Sequence, residues 1–283
     1  MAEKEKSNPR EKFLTETAWE VCNQVGGIYT VIRTKASSIV EKFGDNYCAI
    51  GPYIHRDVRG EFEPLDDYSS PFGKAAKIMM DNGLNVHFGR WLVAGRPMVV
   101  LLNPKDALEN LAEIKYFIWE NHYISIPDDE ELINNVVAFG YLVRIFLQTL
   151  SEQISPKDQL IGHFHECMGG TSIPDLRKNN VNIKMVFTTH ATILGRYLAM
   201  NNPTFYNHLP FFEWEKEAKH FGIETLARFE RAAAQHCDVF TTVSDVTARD
   251  CEYLLGRKPD IVLPNGINIK KFDVQHAVQV IHQ

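Results

Sequence analysis

The chain has 283 residues, of which 45% are hydrophobic, and a formal net charge of -6. That is enough apolar material for one large α/β domain, or for such a domain with an extension. The acidic balance and scattered Lys and Arg disfavour a nucleic-acid binder, which needs clustered cations against phosphate. No apolar run reaches the roughly 20 residues of a membrane span, and the charged start lacks the apolar core of a secretory leader. Five cysteines, at 22, 48, 167, 237 and 251, form no CxxC pair, which fits a reduced, cytoplasmic compartment.

Residues 1–12 read as a disordered lead-in. Phe13 to Cys22 is apolar enough for a first strand, and Val25-Gly26-Gly27-Ile28-Tyr29 makes a tight turn that opens a helix through about Lys42. Tyr47 to Ile50 is the next strand, and residues 55–73, with Pro64 and Pro71, read as an irregular excursion. Val86 to Leu92 and Pro97 to Leu102 form a pair of strands, expected as an antiparallel edge. Helices follow over Leu108 to Tyr123 and Asn134 to Leu150, the second with apolar residues near the helical period.

The second half alternates. Strands are expected over Leu160 to Phe164, Met185 to Thr189, Val239 to Val243 and Ile261 to Leu263. Helices are expected over Ile173 to Asn179, Ile193 to Met200, Glu224 to His236 and Val246 to Leu255, and residues 201–222 suit a lid-like insertion. This alternation implies an α/β fold over residues 13–264, a Rossmann-like, doubly wound, mostly parallel sheet. Residues 265–283, following Pro264-Asn265-Gly266, read as a linker toward a further domain.

Three strands end in polar groups: His163-Phe164-His165-Glu166, Thr188-Thr189-His190 and Thr241-Thr242-Val243-Ser244. In an open parallel sheet the carboxyl ends of the strands are where ligands bind. Gly26-Gly27 lets backbone N–H groups approach an anion at a helix start, or is simply a tight turn. It is neither GxGxxG nor a Walker loop, which disfavours a dehydrogenase. His163 and His165 share one face of their strand, with Glu166 opposite unless the strand has ended. With no HExxH helix, the sequence argues against a metal there. His163 reads as a hydrogen-bonded internal histidine, and His165 and Glu166 as facing the cleft. His190 can bond a hydroxyl while neutral, and Arg196 offers a fixed cationic fork to phosphate oxygens. Glu230 and Arg231 each need a partner if buried. Asn23, Tyr29 and Ser244 are weaker candidates. Tyr116, Trp119, Phe205, Tyr206 and Trp214 offer flat faces to sugar rings or belong to the core.

Several longer motifs carry a resemblance. They are Glu20-Val21-Cys22-Asn23-Gln24-Val25-Gly26-Gly27-Ile28-Tyr29, Phe88-Gly89-Arg90-Trp91-Leu92, Phe187-Thr188-Thr189-His190-Ala191-Thr192, Leu194-Gly195-Arg196-Tyr197, Glu230-Arg231-Ala232-Ala233-Ala234 and Arg257-Lys258-Pro259-Asp260. On these the chain resembles the amino-terminal half of eukaryotic-type glycogen synthases. The resemblance implies a GT-B fold of two Rossmann-like domains, the second lying outside this chain. It implies transfer of glucose from UDP-glucose to the 4-hydroxyl at the non-reducing end of an α-1,4-glucan, with retention and with neither metal nor cofactor.

By the same resemblance, His190 and Arg196 are catalytic, and Gly26, Gly27, Asn23, His165, Glu166 and Ser244 serve the donor or its sugar. Expected partners are glycogen, the carboxyl-terminal peptide of glycogenin and further copies in a tetramer, on glycogen particles in the cytoplasm. Glucose-6-phosphate is expected to act on the second domain. The chain departs from the family pattern at Gln24, where a lysine is usual, and at Cys167-Met168, where Trp-Leu is usual. A GT-B enzyme with another nucleotide sugar and a non-catalytic glucan- or glycogenin-binding domain remain the alternatives.

Overall fold

The computed structural model describes residues 10–54, 58 and 60–266. Most of the lead-in and of the linker read from the sequence lies outside the described residues, although Lys12 already belongs to the first strand.

The first half comprises β1 (Lys12–Thr17), α1 (Gly27–Phe43), β2 (Tyr47–Pro52), β3 (Phe62–Pro64), α2 (Pro71–Asp81), β4 (Val86–Trp91) and β5 (Met98–Leu102). Then come α3 (Lys105–Leu108), α4 (Leu111–His122), α5 (Glu131–Gln153), β6 (Gln159–His165), α6 (Glu166–Gly170), α7 (Ile173–Lys178) and β7 (Lys184–Thr189). The last stretch has α8 (Ile193–Asn201), α9 (Phe205–His208), α10 (Trp214–His220), α11 (Glu224–His236), β8 (Val239–Thr242), α12 (Asp245–Asp250) and β9 (Ile261–Val262).

These strands form one nine-stranded sheet in the order β3-β4-β5-β2-β1-β6-β7-β8-β9. β4 runs antiparallel to both β3 and β5, and every other pairing is parallel. The chain winds outward from β1 through β2 and β5 on one side, and from β6 through β7, β8 and β9 on the other. β1 and β6 therefore flank the switch point, the crevice where open α/β sheets bind ligands.

Side chains alternate across the sheet as the pleat requires. Cys48, Ile50, Val100, Leu102, Leu160, Phe164, Phe187 and Phe240 face a large core with α2, α5 and α11. Ala49, Val99 and Leu101 point the other way, to a smaller core under Tyr29, Ile32 and Ala36 of α1. By the same alternation Glu16, Tyr47, His163, His165, Thr188 and Thr241 all stand on the α1 face.

Two expectations need correction, and two are filled in. The first strand ends at Thr17, and Trp19 to Cys22 forms a turn in which Cys22 has a φ of 53°. The excursion contains the short strand β3 and the start of α2; residues 55–57 and 59 lie outside the described residues. Pro71 there begins a helix, at N1 or N2, and Ser70 caps it by accepting from Gly73 N–H, an arrangement proline favours. Residues 201–222 fold into α9, a 3₁₀ turn and α10, with Leu194, Leu198, Phe205, Leu209 and Ala218 in a core of their own. Finally, α5 is long and apolar enough to cross a membrane by length and composition, but its apolar residues line the main core.

The turn after β1 lies across β2 at Gly51, where a Cβ would sit 2.5 Å from the Val21 carbonyl oxygen and 2.8 Å from Val21 Cβ. Gly51→Ala is expected to lower stability by about 1–3 kcal/mol, the usual cost of overpacking. Urea denaturation measures it, and an unchanged midpoint would show that the turn can lift away.

Candidate active site

A row of hydrogen-bonded polar side chains crosses the α1 face near the carboxyl ends of the strands. Glu16 on β1 is 1% exposed. Its Oε2 accepts from the Tyr47 hydroxyl on β2 at 2.6 Å, and its Oε1 accepts from His165 Nε2 on β6 at 2.6 Å. The Lys35 ammonium, from α1, forms a salt bridge to the same Oε1. His163 Nδ1 lies 3.4 Å from that oxygen, while its Nε2 is 2.7 Å from Thr188 Oγ1 on β7. Thr188 continues the row to Thr241 on β8 at 2.6 Å. Burial alone would raise the Glu16 carboxyl, but Lys35 and the two histidines hold it well below the usual range.

The row fixes the histidine that follows β7. A carboxylate only accepts, so His165 carries its hydrogen on Nε2 and leaves Nδ1 bare. His165 Nδ1 is 3.2 Å from His190 Nε2, so His190 donates there and keeps a bare Nδ1. That nitrogen faces Asn265 Nδ2 at 3.4 Å. Burial, then neighbouring cationic charge, pushes the His190 imidazole down to about 3 and lowers His163 and His165 as well. All three rings are therefore neutral near pH 7, which the tautomer chain requires.

The corner between β7 and α8 is held from below. Glu230 of α11 is fully buried and accepts from Thr189 Oγ1 at 2.8 Å and from Ile193 N–H at 2.9 Å. Burial raises its carboxyl to about 8. Thr192 caps α8 by accepting from Gly195 N–H. Above the corner, Glu166 Oε1 accepts from His190 N–H at 3.0 Å and lies 3.4 Å from the Arg196 guanidinium. Glu166 has a φ of 58°, an uncommon conformation for a non-glycine residue. The strand has ended there, so Glu166 is not opposite His165 but turned toward the β7–α8 corner. Burial raises its carboxyl, with Arg196 opposing. The Arg196 side chain is 55% exposed and free to turn toward a ligand.

The other residues singled out from the sequence occupy different positions. Gly27 opens α1 with free space around its α-carbon. Gly26 N–H donates to Glu20 Oε2 at 2.7 Å, and Tyr29 N–H donates to the same oxygen at 2.9 Å. A carboxylate of the chain itself thus sits on the amides expected to meet a phosphate. Asn23 is buried and donates to the Trp19 carbonyl, bracing the turn after β1. Ser244 caps α12 by accepting from Thr247 N–H. His165 is buried, borders the cavity described below and touches His190. Gln24 is exposed; Cys167 is buried and donates to the Leu226 carbonyl, so that departure from the family pattern falls within the core. Of the aromatics, Phe205 is core, Tyr116 and Trp119 are exposed, and Arg228 and Arg231 lie over the Trp214 ring.

A cavity of about 700 Å³ opens on His163, His165, His190, Lys35 and Asn265. A larger cleft of about 1390 Å³, lined by Trp19, Val25, Tyr53, Lys105 and Asp128, shares none of these residues. The smaller space is the one that lies at the switch point and borders the coupled polar groups. Sequence reading missed Glu16, Lys35, Tyr47 and Glu20. An acidic residue inside the run Phe13-Leu14-Thr15-Glu16-Thr17 was the one available signal for Glu16.

The neutral rings have a consequence for stability. Below the ordinary histidine value of 6.5 the unfolded chain takes up protons that the folded rings refuse, so stability is complete above about pH 6.5 and is lost as pH falls. The buried carboxyls of Glu230 and Asp250, raised to about 8 and about 7, work the other way over the same window, so the histidine contribution is read as a difference. In urea denaturation His190→Ala is expected to lose about 2 kcal/mol less than wild type between pH 7 and pH 5. The same pH slope in wild type and His190→Ala would contradict a neutral His190.

Residues 16–283 match the family model described as glycogen synthase. Glycogen [starch] synthase of Neurospora crassa is 42% identical over 97% of this chain and 39% of its own length. The liver glycogen [starch] synthase of Homo sapiens is 41% identical over 96% of this chain and 38% of its own. Isoform 1 of Saccharomyces cerevisiae is 40% identical over 95% of this chain and 39% of its own. The chain thus spans about 40% of the length of the curated relatives it matches. With a family match that covers nearly all its length, the chain belongs to the glycogen synthase family.

Proposed function

We propose that this chain forms one wall of the catalytic cleft of a glycogen synthase. Such an enzyme moves glucose from UDP-glucose to the 4-hydroxyl at the non-reducing end of an α-1,4-glucan, retaining configuration. The observation that carries this reading is the meeting of His190 and Arg196 over Glu166 at the carboxyl edge of β6 and β7.

The chemistry asks three things of that wall. Breaking the bond between glucose and diphosphate leaves negative charge on UDP, and a cation fixed nearby stabilises it most in the transition state. Arg196, held at its base by the capped start of α8 and reaching out from Glu166, is placed for that role. The sugar must also be oriented, and the bare Nδ1 of His190 accepts from a glucose hydroxyl without changing its own charge. Glu166 serves both residues, anchoring the His190 backbone and balancing Arg196 between turnovers. Gly26 and Gly27 then border the donor phosphates, with Glu20 holding their place when no donor is bound.

The reading extends to glycogen as acceptor, recruitment through the carboxyl-terminal segment of glycogenin, a tetrameric assembly and a cytoplasmic place on glycogen particles. It also places the response to glucose-6-phosphate on a second domain.

Glucose transfer from UDP-glucose, measured with this chain alone and together with the carboxyl-terminal remainder of the Neurospora relative, tests the proposal. Transfer is expected only when both parts are present, with ADP-glucose a poorer donor. In the active pair Arg196→Ala is expected to lower kcat/KM by about 10²–10³-fold, the scale of a lost preorganised donor. A loss of less than about tenfold would remove Arg196 from the mechanism.

A further inference from the structure

The buried row on the α1 face contains a set of groups that the glucosyl-transfer chemistry does not require to be so close. A Glu16 carboxylate oxygen, a His163 nitrogen and a His165 nitrogen all lie within 4.8 Å of one another. Their spacing is set by the pairing of β1 with β6, in which Glu16 stands beside His163. The sequence argued against a metal because Glu166 does not share the face of the two histidines. The third ligand comes instead from the neighbouring strand.

Three further observations suit a cation. Lys35 already brings a positive charge to Glu16, from the side on which the cavity opens. Metal-bound imidazoles almost always donate their second N–H to a partner, and both rings have one. His163 Nε2 is 2.7 Å from Thr188 Oγ1, and His165 Nδ1 is 3.2 Å from His190 Nε2. Both rings also line the cavity, so an entering ion reaches them directly.

We propose that Glu16, His163 and His165 form a binding site for a divalent cation of the zinc class, entered from the cavity as Lys35 swings toward solvent. Two imidazole nitrogens and one carboxylate oxygen are a ligand set that zinc accepts, with water in the fourth position. Tetrahedral zinc holds its ligand atoms about 3.3 Å apart. His163 Nδ1 and Glu16 Oε1 stand at 3.4 Å, the ligand atoms all lie within 4.8 Å, and the 2.6 Å contact of His165 Nε2 with Glu16 has to open as Lys35 leaves.

The protons rearrange without net loss. The hydrogen on His165 Nε2 gives way to the cation and is replaced by one on Nδ1, which now donates to His190 Nε2. The His190 hydrogen passes in turn from Nε2 to Nδ1, and Lys35 stays an ammonium. The nitrogen that His190 presents to the cleft changes from acceptor to donor. That last consequence for glucosyl transfer rests on the functional reading above; the binding site does not.

Titration of the full 283-residue chain with Zn²⁺ against a chromophoric chelator tests the site directly. One equivalent is expected, with His163→Ala and Glu16→Gln each weakening it at least tenfold and Lys35→Met strengthening it. Because Glu16→Gln disturbs a buried charge, His163→Ala, at the least buried of the three ligands, is the deciding variant, its fold checked by circular dichroism. Co²⁺ is expected to give the visible bands of a four- or five-coordinate site without a thiolate band. Equal affinity in wild type and His163→Ala, or a thiolate band, overturns the site. Long-range ¹⁵N–¹H spectra then follow His190, whose Nδ1 is expected to become protonated when Zn²⁺ binds. An unchanged His190 under saturating Zn²⁺ overturns the coupling, whether or not the chain takes part in glucosyl transfer.

Discussion

The charge on Glu16 is the constraint around which this domain is arranged. An ionised carboxylate withdrawn from water costs several kcal/mol unless it is well paired. Here the pairing is spread over separate elements: Lys35 from α1, Tyr47 from β2 and His165 from β6. Each partner therefore binds its own element to the centre of the sheet. Removing any of them leaves charge or a buried donor without compensation, which is far more costly than losing an exposed ion pair. The cluster lies at the switch point, so the same interaction that ties the sheet together also sets the protonation of its ligand edge.

The second support is the corner after β7. Glu230 reaches from α11 beneath the sheet to hold Thr189 and the first amide of α8, and Thr192 completes the cap. Glu166 holds the corner from the other side in a backbone conformation that costs roughly 1–3 kcal/mol. Strain of that kind persists only where the surroundings over-determine it. His190 and Arg196 thus stand on a turn gripped by two carboxyl groups.

The strands and helices were legible wherever a period was sustained, as in α5, β7 and the alternating second half. The failures have physical reasons. Pro71 looked like a breaker because proline inside a helix is one, but at the first turn its missing N–H costs nothing. The lid-like reading of residues 201–222 came without helices because their apolar residues pack on a small satellite core and never form a long stripe. His190, Arg196, Glu166 and Glu230 stood out because each sits at a strand end or in a motif of unusual composition. Glu16 and Lys35 did not, since their importance comes only from β1 lying beside β6 and from the rotation of α1. No spacing along the chain encodes either. Asn23 lay in the longest of those motifs, and its amide braces the turn that leads to Gly26 and Gly27.

The carboxylate of Glu20 on the first amides of α1 bears on how this cleft meets anions. An incoming group does not find vacant N–H bonds; it must evict a tethered monoanion whose effective concentration is fixed by the five residues of chain between Glu20 and Gly26. A singly charged solute such as chloride gains little from that exchange, whereas a diphosphate brings surplus charge to it. If the donor meets this turn as proposed, the exchange sorts visitors by valence.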